Sequence, residues 1–171
     1  MEADIDKQTV IFESSDGEKV EICVKAAKKS GTAEGVLRDY ADLTEKKDTL
    51  KLMNVNGKTM KKIVEYLLHY QNENPPEIEK PLKKQNFKDC VPEWDYNFID
   101  VELDVIFEII LGANYMNIQS LLDLGTAKVA SIIRDKKTEE MRKMFNITET
   151  GFTDEELKEI EEESKYCEES F

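Results

Sequence analysis

All four prolines of this 171-residue chain fall between Pro75 and Pro92. Outside that window no residue lacks a backbone N–H, so helices and strands can run on either side of it without a break of that kind. The window itself, from Asn74-Pro75-Pro76-Glu77 through Lys83-Lys84-Gln85-Asn86 to Val91-Pro92, is polar and has no apolar period. It reads as a long exposed loop, flexible over about 73–92. It divides the chain into a front part, about 1–72, and a back part, about 93–171.

The front part opens with two strand-like runs, Thr9-Val10-Ile11-Phe12-Glu13 and Lys19-Val20-Glu21-Ile22-Cys23-Val24, around Ser14-Ser15-Asp16-Gly17. Asp-Gly between β-branched runs predicts a hairpin. A third alternating run, Asp48 to Met53, is a candidate for the same sheet. Ala33 to Tyr40 reads as helix, although Gly31 and Gly35 are poor helix formers. Met60, Ile63, Val64, Leu67 and Leu68 recur at helical spacing and predict a helix over about 58–70.

The back part reads as helix throughout. Over 101–116, Leu103, Ile106, Phe107, Ile110 and Leu111 form one stripe, and Val105, Ile109, Gly112 and Met116 a second. Apolar residues on most sides predict a central, largely buried helix. Its last turn carries Asn114 and Tyr115, where the apolar run stops. Over 118–134, Ile118, Leu121, Leu122, Val129, Ile132 and Ile133 form a broad stripe opposite Gln119, Asp123, Lys128 and Arg134. A short helix follows, with Thr138 as N-cap and Met141, Met144 and Phe145 on one side. The final helix begins with Thr153 and Glu156 at capping-box spacing.

Charge removes several function classes. The chain carries 37 acidic against 24 basic residues, a formal charge of −13. Phosphate neutralisation needs clustered cations, so nucleic acid is not an expected partner. No stretch approaches the roughly 20 apolar residues of a membrane span. The acidic start, Met1-Glu2-Ala3-Asp4-Ile5-Asp6, lacks the basic-then-apolar layout of a signal peptide. Cys23, Cys90 and Cys167 are odd in number and scattered, which argues against a disulfide framework or a zinc site and for the cytoplasm or nucleus.

Nothing in the sequence assembles into an enzyme. His69 is the only histidine, has no nucleophile near it in sequence, and is expected at a helix end. Glu93, Asp95, Asp100, Glu102 and Asp104 fail as a calcium loop, because Val105 and Leu111 stand where glycine and glutamate are needed. They read as a solvated helix entry. The glycines form no phosphate-cradling pattern, and no cofactor or metal is expected. Positive residues 80, 83, 84 and 88 read as a solvated part of the loop.

The last two helices are short and thinly apolar, and such helices are marginal alone in water. They must dock, yet they offer too little material to cover the 118–134 helix. The stripe Leu122, Thr126, Val129 and Ile133 is therefore either core or a surface for a helical partner. The tail 153–171 holds nine acidic residues and two lysines, but Leu157, Ile160, Tyr166 and Cys167 punctuate it, unlike a disordered acidic tail.

The chain resembles the S-phase kinase-associated protein adaptors of SCF ubiquitin ligases over nearly its whole length. The resemblance rests on Ser14-Ser15-Asp16-Gly17-Glu18, Ala27-Lys28-Lys29-Ser30, Asn54-Val55-Asn56, Pro92-Glu93-Trp94-Asp95 and the long stretch Phe107-Glu108-Ile109-Ile110-Leu111-Gly112-Ala113-Asn114-Tyr115. It continues through Leu121-Leu122-Asp123, Val129-Ala130 and Phe145-Asn146-Ile147 to Phe152-Thr153 and Tyr166-Cys167-Glu168-Glu169. It implies an α/β BTB/POZ fold over 1–117 and an F-box-binding, or dimerisation, helical region over 118–171. Members of the family are adaptors and not enzymes, joining a cullin scaffold to an F-box protein. The implied cullin contacts are Asn114 and Tyr115. The implied F-box contacts are Leu121, Leu122, Thr126, Val129, Ile133, Met141, Phe145 and Tyr166, and a homodimer could use the same face. Tyr166 stands where the family has tryptophan, Asp154 where some members hydroxylate a proline, and Gly31, Ala33 and Gly35 replace larger residues. The competing expectation is a self-associating structural BTB protein working outside ubiquitin transfer, since an uncovered apolar face can be satisfied by self-pairing.

Overall fold

The computed structural model describes residues 8–39, 49–84, 86–147 and 153–168. Residues 1–6, Tyr40, Asp48, Gln85, Phe152 and Glu169, named above, lie outside the described residues.

The expected hairpin forms. Strand β1 (Thr9–Ser14) pairs antiparallel with β2 (Lys19–Cys23), with Phe12 opposite Val20 and Val10 opposite Ile22. Gly17 sits at φ 82° in the turn, a conformation that costs glycine nothing. The third run joins the same sheet: β3 (Thr49–Leu52) lies parallel to β1, with Phe12 opposite Leu50, and the strand order is β2-β1-β3. Along β1 the alternation puts Val10, Phe12 and Ser14 on the buried face.

Helices cover that face. Short α1 (Val24–Ala27) follows β2 directly, and α2 (Gly31–Asp39) forms despite its two glycines. Helix α3 (Gly57–His69) begins where two side chains satisfy its free N–H groups: Thr59 N–H donates to Asn56 Oδ1 at 2.8 Å and Gly57 N–H to Asp16 Oδ2 at 3.1 Å. Met60, Ile63, Val64 and Leu67 are buried as their spacing requires, while Leu68 is exposed. Helix α4 (Glu93–Ile99) leads into α5 (Leu103–Tyr115), and α6 (Gln119–Ile133) follows. Gly112 lets α5 approach α3, since a Cβ there would stand 2.7 Å from Ile63 Cδ1. Gly125 does the same for α6 and α5, where a Cβ would stand 2.6 Å from Ile110 Cγ1.

Some sequence expectations need correction. The proline-containing segment is not free of the body. Ile78, Phe87 and Val91 are buried, a 3-10 turn spans Phe87–Asp89, and Lys80 pairs with Asp123 of α6 at 2.8 Å. Its anchors are too irregularly spaced to register as a period. The acidic cluster also divides. Asp95 is 3% exposed and accepts the Tyr70 hydroxyl at 2.8 Å on both oxygens, so it belongs to the interior rather than to a solvated helix entry. Burial pushes its carboxyl above the usual range despite that hydrogen bond. Beside it His69, at the end of α3 as expected, stacks on Trp94 with ring centroids 3.6 Å apart.

The chain forms two compact units, Met1–Ile132 and Ile133–Phe171. The first takes in almost all of α6. Leu121 and Leu124 of α6 are core residues, and Gly125 is packed on Ile110. The described part of the second unit holds α7 (Thr138–Met144) and α8 (Asp154–Glu168). The N-cap of α7 is Lys137 rather than Thr138, its N–H donating to Glu140 Oε2 at 3.2 Å. The start of α8 is the expected capping box: Glu156 N–H donates to Thr153 Oγ1 at 3.3 Å, and Thr153 N–H to Glu156 Oε2 at 2.8 Å. The Thr153 N–H bond, with a second from Thr153 Oγ1 to Glu156 Oε2 at 3.0 Å, holds the Glu156 carboxyl below its usual value.

Candidate partner-binding surfaces

The first surface is the end of α5. A helix terminus leaves carbonyls without helical partners, and here the start of α2 supplies donors. Thr32 Oγ1 donates to the Tyr115 carbonyl at 3.0 Å, and Ser30 Oγ to that of Met116 at 2.6 Å. Gly31 N–H donates to the Asn117 carbonyl at 3.2 Å. A side chain at Gly31 would collide with the Asn117 amide, and Asn117 itself turns at φ 52°. The junction fixes the last turn of α5 and leaves Asn114 exposed and Tyr115 half-buried.

Leu111 changes the reading of this helix. Expected in the buried stripe, it is 67% exposed. It lies three and four residues before Asn114 and Tyr115, the spacing that puts side chains on one face. That spacing was the signal available in the sequence; the surrounding apolar run obscured it. One turn earlier Glu108 accepts from Asn56 Nδ2 at 3.0 Å and Thr59 Oγ1 at 2.8 Å, bonds that hold its carboxyl low and tie α5 to the start of α3. Met53, just past β3, is also open, at 69%.

The second surface is on α6. Leu122, Val129 and Ile133 are half-buried and Thr126 is exposed. At about 100° per residue these four share an arc of roughly 60°. Leu121 is different: it is 0% exposed, a core residue pointing away from that arc, and is withdrawn from the contact set. Opposite the arc, Lys128 is pinned between Asp100, at 2.9 Å, and the rings of Phe87 and Tyr96. One side of α6 is thus tied to its own unit while the other stays open.

In the second unit Met141 and Phe145 are half-buried, and Ile147 and Ile160 are exposed. Tyr166 falls within α8, and its side chain lies outside the described residues. Among the described residues no cluster of histidine, cysteine, aspartate and glutamate could hold a metal ion, and no helix is long and apolar enough to cross a membrane.

A small three-stranded sheet roofed by helices, with two solvent-facing helical surfaces, is a POZ-type α/β module extended by helices. Comparison with known families agrees. Residues 8–72 match the tetramerisation domain of the Skp1 family, and 119–167 match its dimerisation domain. The chain belongs to the Skp1 family. It is 44% identical over 158 residues, 92% of each chain, to the S-phase kinase-associated protein 1 homolog of Tetrahymena thermophila. It is 36% identical over 160 residues to the E3 ubiquitin ligase complex SCF subunit sconC of Arthroderma benhamiae, covering 94% of this chain and 95% of the relative. The sconC of Arthroderma otae is 35% identical over 159 residues, 93% of this chain and 94% of the relative.

Proposed function

We propose that this protein is the adaptor subunit of an SCF-type ubiquitin ligase, working by position and not by catalysis in the cytoplasm and nucleus. One surface, Asn114 and Tyr115 with Leu111, takes the cullin. The other, Leu122, Thr126, Val129 and Ile133 of α6 with Met141, Phe145 and Tyr166 of the second unit, takes the helices of an F-box protein. Without a partner the same face accepts a second copy of the chain. The observation that carries the reading is family membership across both regions, with relatives named as SCF subunits. The open arc of α6 supports it: half-buried aliphatic side chains around exposed Thr126 suit a helix-in-groove contact with a polar rim.

The test separates the surfaces. Val129→Glu places an unpaired carboxylate in an apolar contact, at a cost of several kcal/mol, and is expected to abolish binding of an F-box domain while circular dichroism stays native. Asn114→Lys with Tyr115→Lys is expected to lose the cullin amino-terminal domain and keep the F-box domain. An F-box domain retained by the first variant, or a cullin retained by the second, contradicts the assignment of that surface.

A further inference from the structure

The proline-containing segment and α6 leave an apolar cavity between them. Buried Ile78 and half-buried Leu82 stand on one side, and Thr126, Ala127 and Ala130 of α6 on the other, around about 230 Å³ of empty space. Thr126 and Ala130 are exposed, so the cavity opens to solvent along the helix. The polar groups around it are already engaged. The Thr126 hydroxyl donates to the Leu122 carbonyl of its own helix at 2.9 Å, Lys80 Nζ pairs with Asp123 Oδ1 at 2.8 Å, and Lys83 Nζ with Glu79 Oε2 at 3.3 Å. What the cavity offers an occupant is therefore carbon. Its outer wall is fixed as well: Ile78 is buried, Lys84 Nζ donates to the Asp89 carbonyl at 2.6 Å, and Phe87 is buried in the turn that follows. A preformed pocket of this kind takes an apolar group without a cost for ordering its walls.

Its place on α6 points to the occupant. At about 100° per residue, Ala127 and Ala130 lie on the flank of the arc Leu122, Thr126, Val129 and Ile133, and Thr126 belongs to both. The α6 residues of the lining all fall within 119–167, the stretch that matches the dimerisation domain of the family. The cavity thus continues the surface assigned above to an F-box protein. We infer that it receives one large apolar side chain, of leucine, methionine or phenylalanine size, from the F-box protein lying on α6, and that this residue is a principal anchor of the complex. The inference rests on the adaptor reading for the identity of the partner. An apolar cavity of about 150 Å³ already accommodates benzene, so a phenylalanine ring fits this one. An occupant restores the dispersion contacts that the empty walls lack, and anchors seated in such pockets carry most of the binding energy of an interface. F-box proteins then sort by whether they present such a residue opposite Ala130.

The test uses the full chain and a recombinant F-box domain whose surface apolar residues are replaced by alanine one at a time, with affinities from titration calorimetry. One of those truncations is expected to weaken binding to the unaltered chain by about tenfold or more. Ala130→Phe fills the cavity from an exposed position, and Ala127→Leu fills it from the neighbouring half-buried one. Each is expected to weaken binding of the unaltered F-box domain by about tenfold while circular dichroism stays native. On either variant the anchor truncation is expected to cost less than about twofold, because both changes remove the same contact. Binding unchanged by both variants overturns the inference, as does a truncation that costs as much on the variants as on the unaltered chain. Loss of self-association in the variants with F-box binding intact gives the cavity to a second copy of the chain and overturns it too. A chain that binds no F-box domain overturns the adaptor reading and the occupant with it, a result distinct from tight binding that is indifferent to Ala130→Phe and Ala127→Leu.

Discussion

The same substitution is expected to have opposite signs at two glycines of this fold. In a helix, glycine to alanine gains up to about 1 kcal/mol from reduced backbone entropy in the unfolded chain. At Gly35, in α2, the new Cβ meets nothing within 4 Å, so that gain stands alone. Gly35→Ala is expected to stabilise by about 0.5–1 kcal/mol. At Gly125 the Cβ would stand 2.6 Å from Ile110 Cγ1, an inner atom of a branched side chain that cannot swing aside alone. Overpacking of that kind costs about 1–3 kcal/mol. Set against the helix gain, the net loss is about 1 kcal/mol, or roughly 2–4 °C in Tm for a chain of this size. Urea unfolding of the two variants checks the sign and the size. Because α6 must shift on α5 to make room, Gly125→Ala is also expected to weaken F-box binding, and Gly35→Ala to leave it alone. Stabilisation by both substitutions would refute the claim that α6 is held by close backbone approach.

Three further expectations follow from named contacts. Tyr70→Phe removes the hydroxyl that serves both oxygens of buried Asp95, and is expected to cost about 1–3 kcal/mol by urea unfolding. Asp95 also gives a pH signature. Its native carboxyl titrates above the unfolded one, so between those two values the folded chain holds more protons and stability falls as pH rises from about 4; Asp95→Asn is expected to lack that fall when the two are compared across the carboxylate range. Thr32→Val deletes the donor to the Tyr115 carbonyl and is expected to cost about 0.5–1.5 kcal/mol, weakening cullin binding in titration calorimetry while F-box affinity is unchanged.

Where periodicity and turn chemistry act locally, the sequence showed the structure. Asp16-Gly17 marked the hairpin, the Met60–Leu67 spacing marked α3, and Thr153 with Glu156 marked the start of α8. Burial set by partners distant in the chain was hidden. Asp95 looked like one acid among five until Tyr70 was placed beside it. Leu111 looked like core because its neighbours are, and only the geometry of α5 exposes it. Leu121 and Leu122 are adjacent and equally apolar, yet one is sealed against the core and the other faces the open arc, a distinction decided by about 100° of helix rotation. The segment between the prolines concealed its anchors for a different reason: Ile78, Phe87 and Val91 follow neither helical nor strand spacing.

The most direct measurement mixes the full chain with an F-box domain and a cullin amino-terminal domain and determines the mass of what forms. If the end of α5 and the arc of α6 are separate working surfaces, all three polypeptides travel together at one copy each, and either ligand binds with the same affinity whether or not the other is present. Mutual exclusion of the two ligands, or a chain that binds neither, would contradict it.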